Sequence, residues 1–433
     1  MAMSKNTIAT PQFSIQNFQH YSLFLLKWIL IAIVIGLLTG SGSAWLLMAL
    51  EWVGSYRDAH IWIVALLPIG GLIVGLLYHY YGTDVVKGNN QIIEEFNSPR
   101  QIIPFKMAPL VFIGTVITHL FGGSAGREGT AVQVGGAIAD QFTKWFHLRD
   151  DDRKLLLAMG VSGGFASVFG TPLAGAVFAL EVLIVGRMRY EALIPSFLTA
   201  IVADYACELW PVHHTHYQIS EVPEMIPQTF LYAIIAGVFF GLTSILFSKS
   251  IHFFSDNFKR FVVYPPLRPL IGGVVLAVIF LTLDTSRFMG LGVPTISAAF
   301  VEPLHSYDFI LKLLFTAFTI GAGFKGGEVT PLFFVGATLG NALMWVLPLP
   351  MSLLAGMGFV AVFAGATNTP LACILMGIEL FGIESGVFVA IACVVAYLFS
   401  GHTGIYTSQI IGSPKHKNFE GQKKKTISEL NHK

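Results

Sequence analysis

Two carboxylates stand apart from the glycines around them. Glu128 lies in Gly122-Gly123-Ser124-Ala125-Gly126-Arg127-Glu128-Gly129-Thr130, which leads into an apolar helical stretch carrying Gln133. Small residues before a helix start leave backbone N–H groups free and add the positive end of the helix dipole, so the segment reads as an anion site. A glutamate there is itself an anion. Ionised, it would occupy the site; protonated, it is neutral and can leave, so one residue would couple an anion to a proton. The plainer alternative is a first-turn acid that complements the dipole. Glu328 lies in Gly321-Ala322-Gly323-Phe324-Lys325-Gly326-Gly327-Glu328-Val329-Thr330-Pro331, a second glycine-rich approach to a helix start with Pro331 near its first position. Its plainer reading is a pairing with Lys325.

Two smaller segments could contribute polar contacts. Lys87-Gly88-Asn89-Asn90-Gln91 offers amide donors to an anion, although such a run is commonly just a turn and cap. Gly404-Ile405-Tyr406-Thr407 offers a phenol, a neutral donor that could hold an anion without trapping it; alone, Tyr406 also reads as an interfacial aromatic. Gly40-Ser41-Gly42-Ser43 reads as helix packing. His213, His214 and His216 with Glu208 lack metal-ligand spacing, so no metal and no cofactor is expected. There is no phosphate-binding GxxxxGK[ST] loop. His119 and Ser124 could suggest an intramembrane protease, but a repeated second site would serve no purpose there, and an enzyme is not expected.

The elements that must position these residues are those of a membrane protein. Of 433 residues, 54% are hydrophobic and 12% charged, with net charge +1 and mean hydropathy +0.68. That is too little charge to cover a soluble surface and no basic excess for nucleic acid. The 44 glycines suit helices packed closely in lipid. Apolar runs that could span a bilayer cover 23–50, 60–80, 107–122, 155–185, 226–254, 268–283 and 383–400. The stretches 131–146, 329–348 and 351–380 are punctuated by Gly and Pro, as in discontinuous or re-entrant helices. The polar segment 1–22 lacks a signal-peptide pattern. The basic tail 413–433, with Arg187 and Arg189, predicts a cytoplasmic side; the loop 207–224, nearly free of Lys and Arg, predicts the outside. Cys207, Cys373 and Cys393 give no disulfide framework.

The chain repeats itself. Gly126-Arg127-Glu128-Gly129-Thr130 aligns with Gly326-Gly327-Glu328-Val329-Thr330, and Thr171-Pro172-Leu173-Ala174-Gly175 with Thr369-Pro370-Leu371-Ala372-Cys373, both about 200 residues apart. Each second element leads to an acid, Glu181 and Glu379. Two transmembrane halves are therefore expected, 23–215 and 225–412, and broken segments in matching positions point to a transporter's binding site.

These segments resemble the signatures of the CLC chloride channel and transporter family. Gly126-Arg127-Glu128-Gly129 resembles its GREGP motif, and Gly326 to Pro331 falls where the family has GGxFxP. Thr171 to Gly175 and Thr369 to Ala372 resemble its NAPLAG-type segments, and Tyr406 falls at its pore tyrosine. The resemblance covers about 20–412. It implies an all-α polytopic fold of two inverted halves with many short, broken, tilted helices, a homodimer with one pore per subunit, and Glu128 as gating glutamate. With so short a tail, the regulatory CBS domains of many eukaryotic relatives are not expected.

Departures from the family pattern narrow the expectation. Asn89 replaces the serine of the family's GSGIP motif, Thr130 ends GREGT, Glu328 replaces an apolar residue, and Val182 stands where chloride/proton exchangers carry a relay glutamate. This set resembles the fluoride-transporting bacterial clade, whose members exchange fluoride for protons. The implied protein is a fluoride/proton antiporter of the bacterial cytoplasmic membrane; the alternative is a chloride/proton antiporter or chloride channel on the same fold. Glu128 and Glu328 would couple protons, and Gly88, Asn89, Asn90, Gly126, Arg127, Gly129, Thr130, Gly327, Val329, Thr330 and Tyr406 would line the anion path. Fluoride is smaller than chloride and accepts stronger hydrogen bonds, which suits an amide and an added carboxyl.

Overall fold

Most of the helices are too short to cross a bilayer alone. In the computed structural model, which describes residues 15–283 and 285–431, three helical stretches are long and apolar enough: Leu25–Ala59, Ile61–Tyr81 and Pro227–Phe261. The chain begins with α1 (Ile15–Ala59), then α2 (Leu67–Tyr81), entered through a 3-10 turn, α3 (Asn89–Asn97) and α4 (Met107–Leu120). Next come α5 (Glu128–Trp145), α6 (Asp150–Phe169), α7 (Pro172–Glu181) and α8 (Leu193–Glu208). A second series follows in the same order: α9 (Pro227–Phe261), α10 (Leu267–Thr282), α11 (Val293–Ala298), α12 (Asp308–Gly321), α13 (Val329–Leu343), α14 (Met351–Thr367), α15 (Pro370–Phe381) and α16 (Gly386–Phe399). A short helix, α17 (Ile427–Asn431), ends the described chain.

The structure corrects several sequence expectations. The run 155–185 is two helices. Gly170 closes α6 in the left-handed region (φ +71°), and Pro172 sits at the first position of α7, where its missing N–H costs nothing. The run 351–380 divides the same way, with Asn368 in the left-handed region before Pro370. By contrast 131–146 is one helix to Trp145, and 329–348 is unbroken as far as Leu343, where α13 ends in turns before Pro348; both helices begin at the motifs themselves. Helices α8 and α12 lie outside the apolar runs expected to span. Of the polar segment 1–22, residues 1–14 lie outside the described residues and α1 starts at Ile15.

The repeat is visible in the packing. Helix α5 lies on α6 and α13 lies on α14. At the first contact a Cβ on Gly135 would stand 2.2 Å from Gly160 O; at the second, one on Gly336 would stand 2.0 Å from Gly358 O. Only backbone without side chains fits there, which is how small residues hold helices together in lipid. Between the two pairs lies an aromatic core drawn from both series. Phe333 stacks on Phe359 at 4.1 Å, Phe165 on Phe178 at 4.2 Å, and Phe363 meets both Phe165 and Phe178. The parallel two-residue strands β1 (Ile184–Val185) and β2 (Ile410–Ile411) tie the end of the first series to the tail, so Arg187 and the tail share one face.

Candidate functional site

The two glycine-rich motifs meet at the centre of the molecule. Gly126 N–H donates to Gly327 O at 2.6 Å, and Gly327 N–H donates to Gly126 O at 2.7 Å, an antiparallel bridge between repeat-related segments. A side chain cannot be added at Gly126: its Cβ would lie 2.9 Å from Pro331 Cδ and 3.0 Å from both Gly327 O and Thr330 N. This close approach delivers Glu128, at the start of α5, to the start of α13. There its Oε2 accepts from Thr330 N–H at 2.9 Å, and the Thr330 hydroxyl lies 2.7 Å from Oε1 and 2.6 Å from Oε2. Arg127 adds its own N–H to Oε2 at 3.2 Å and holds its guanidinium Nε 3.6 Å from Oε1. The Glu128 side chain has no exposed surface. The first series therefore places a carboxylate on the helix N-terminus of the second, where an anion would be favoured.

Glu328 faces the other way. It lines a cavity of about 660 Å³ whose wall also includes Gly88, Asn89, Asn90, Gln133, Lys325 and Tyr406. A Cβ on Gly129 would lie 2.9 Å from Asn89 Nδ2 and 3.7 Å from Glu328 Oε2, so the amide and the carboxyl converge there. Tyr406 is buried and lies on the same wall. Glu128 is not among the residues of that wall.

The remaining sequence-derived residues divide into two groups. Val329 is buried in the first turn of α13 beside Thr330. Gly88 packs against the Gln133 amide. Asn90 is engaged elsewhere, its Oδ1 accepting from Ser408 N–H at 3.0 Å. Thr130, the repeat equivalent of Thr330, bonds to the Thr115 hydroxyl at 2.7 Å within the α4–α5 contact and, among the described residues, bonds to no carboxylate. The two halves are thus alike in backbone but not in what their threonines hold. The expected pairing of Glu328 with Lys325 is absent from the ion pairs among the described residues; the ammonium of Lys325 lies over the Tyr78 ring, 4.1 Å from its centroid.

Gln409 belongs to the site's support, and sequence reasoning does not find it. It is fully buried, and its amide donates to Val182 O at 2.7 Å and Thr367 O at 2.8 Å while accepting from Asn368 Nδ2 at 3.1 Å. It holds the Tyr406 segment to the ends of α7 and α14. A glutamine in a polar-looking run carries no signal for such a role.

Crossing motifs at helix starts, a buried carboxylate on one of them and a polar cavity lined by the other fit a class of ion-transport protein. The family described as "Voltage gated chloride channel" matches residues 70–401, and the chain belongs to this CLC family. It is 52% identical over 399 residues to a chloride/fluoride channel protein of Pseudomonas syringae pv. tomato, covering 91% of this chain and 88% of the relative. An H(+)/Cl(-) exchange transporter, ClcA, of Vibrio vulnificus is 26% identical, covering 86% of each. The crystal structure of a CLC-type fluoride/proton antiporter superposes with TM-score 0.86 at 36% identity, covering 89% of this chain and 98% of that one. A slow cyanobacterial Cl-/H+ antiporter, 21% identical with TM-score 0.76 and covering 88% of this chain and 96% of that one, shares the fold.

Proposed function

We propose that this chain is a fluoride/proton antiporter that moves fluoride out of the cell against proton entry. One observation carries the reading. The carboxylate of Glu128, fully buried, sits on the first turn of α13 as an anion would, held by the N–H and hydroxyl of Thr330. Ionised, it blocks the path. On taking a proton it loses the charge that the helix end favours, and fluoride can replace it. Glu328, on the cavity side with Asn89 and Tyr406, acts as a second protonatable ligand: as a neutral acid it offers an O–H donor to fluoride. The fluoride reading is supported by the Asn89 and Glu328 departures. It is supported too by the similarity to a chloride/fluoride channel protein at 52% identity and to a fluoride/proton antiporter at 36%. We place the protein as a homodimer spanning the bacterial cytoplasmic membrane several times. The face that carries Arg187 and the basic tail would be cytoplasmic.

Reconstitution into vesicles tests the reading. Fluoride efflux should exceed chloride efflux and be matched by proton uptake. In Glu128→Gln, proton coupling should vanish while fluoride still flows. Equal fluoride and chloride fluxes would favour the chloride/proton exchanger, and intact coupling in Glu128→Gln would remove the gate assignment.

A further inference from the structure

Lys325 is left unused by that cycle, yet it lies on the wall of the same cavity as Glu328. Its stem fits the gap left by Gly114, where a Cβ would stand 2.9 Å from Lys325 Cβ. Its ammonium rests on Tyr78 and, among the described residues, joins no ion pair and no side-chain hydrogen bond. A π face is a weak partner for a cation held at membrane depth. The wall also carries Lys87 and Lys259, paired with Glu94 at 2.7 Å and Asp256 at 3.7 Å, and Arg268, which donates to the Val262 and Val263 carbonyls; Lys325 is thus its one ammonium in no ion pair among the described residues. The Lys325 ammonium is therefore left without a counter-ion on a wall that it shares with Asn89 and Glu328.

We infer that Lys325, with the Asn89 amide and the neutral form of Glu328, forms an inner anion site that takes fluoride from the cavity before it reaches the place now held by Glu128. This rests on the antiporter reading and adds a residue to it. The fluoride supplies the missing counter-charge. Arg268, on the same wall and in no ion pair among the described residues, adds positive charge that draws it inward. Removing a charge-assisted hydrogen bond from such a site weakens binding about tenfold.

The test is Lys325→Cys in vesicles. Cys207, Cys373 and Cys393 are all buried, so an added thiol at position 325 can be modified selectively. Half-saturating fluoride should rise about tenfold in Lys325→Cys. Aminoethyl methanethiosulfonate, which restores a positive side chain, should bring it back; the sulfonatoethyl reagent should leave it raised. If Lys325→Cys does not fold, Lys325→Arg should keep the wild-type value and Lys325→Met should raise it. Values unchanged by either reagent, or equal in the Arg and Met variants, overturn the inference alone. Absence of fluoride flux in the wild type overturns the antiporter reading and this site with it.

Discussion

Thr330 does two things at once for Glu128. Its N–H belongs to the helix end, and its hydroxyl reaches both carboxylate oxygens. Hydrogen bonds to a charged group contribute about 1.5–3 kcal/mol each, so removing the hydroxyl loosens the gate by roughly tenfold or more. Thr330→Val keeps the shape and the N–H. It should raise fluoride leak that carries no proton, seen as fewer protons taken up per fluoride released; an unchanged ratio would mean the hydroxyl is incidental. Gly129→Ala is expected to act from the opposite side. Its methyl would stand 2.9 Å from Asn89 Nδ2 and 3.1 Å from Gly327 Cα, so the amide and the bridge must both give way. Overpacking of this kind costs about 1–3 kcal/mol. Fluoride flux should fall roughly tenfold or more while the helical circular-dichroism signal is retained; wild-type flux would show that Asn89 does not need its position.

At the scale of elements the repeat is locked by crossed caps. The Glu181 carboxylate, at the end of α7, accepts from Leu371 and Ala372 N–H at 3.2 and 3.0 Å, in the first turn of α15. Glu379, at the end of α15, accepts from Leu173 and Ala174 N–H at 2.9 and 2.8 Å, in the first turn of α7. Each half finishes the helix of the other, and an acid at a helix N-terminus contributes about 0.3–1 kcal/mol, more when partly buried. Glu181→Gln and Glu379→Gln should each lower the thermal midpoint in detergent, with the proton-to-fluoride ratio intact. A changed ratio in Glu181→Gln would instead give that residue a part in proton movement. The sequence shows both acids in matching places, but not what they hold, because their partners are 190 and 206 residues away. Glu128 is similar: its type and neighbours mark a helix-start anion site, while its partner Thr330 is 202 residues distant. The break at Gly170 is hidden because an apolar window averages over a single left-handed glycine, although Pro172 two residues later is a local sign of it. Helix α12 escapes a hydropathy window because it is only 14 residues long and includes Asp308 and Lys312. Both are buried: Asp308 pairs with Arg287 at 2.9 Å, and Lys312 donates to Phe288 and Gly290 carbonyls.

Across the whole molecule, the residues 209–226 that connect the two series also lace them together. Tyr217 packs between Phe300 and Phe359, stacked on the first at 5.3 Å and tilted against the second at 5.2 Å, Ser220 bonds to Ser352, and the His214 ring lies against Gly170 at the end of α6. His214 is pushed down to about 4 from its ordinary value, first by burial, then by the positive charges of Arg127 and His216. The sign of the consequence follows from proton counting. Below about 6.5 the unfolded chain takes a proton at this histidine that the folded chain refuses, so stability falls as the pH drops from about 6.5 towards about 4. Because the ring is partly exposed, solvent screens part of the effect. The thermal midpoint in detergent should therefore decline across this window. His214→Gln, of similar size and without a titrating proton, should flatten the part of the decline that is specific to 4–6.5. Should His214→Gln lose stability with acid as steeply as the wild type, other groups govern the acid response and the connector's histidine does not contribute to it.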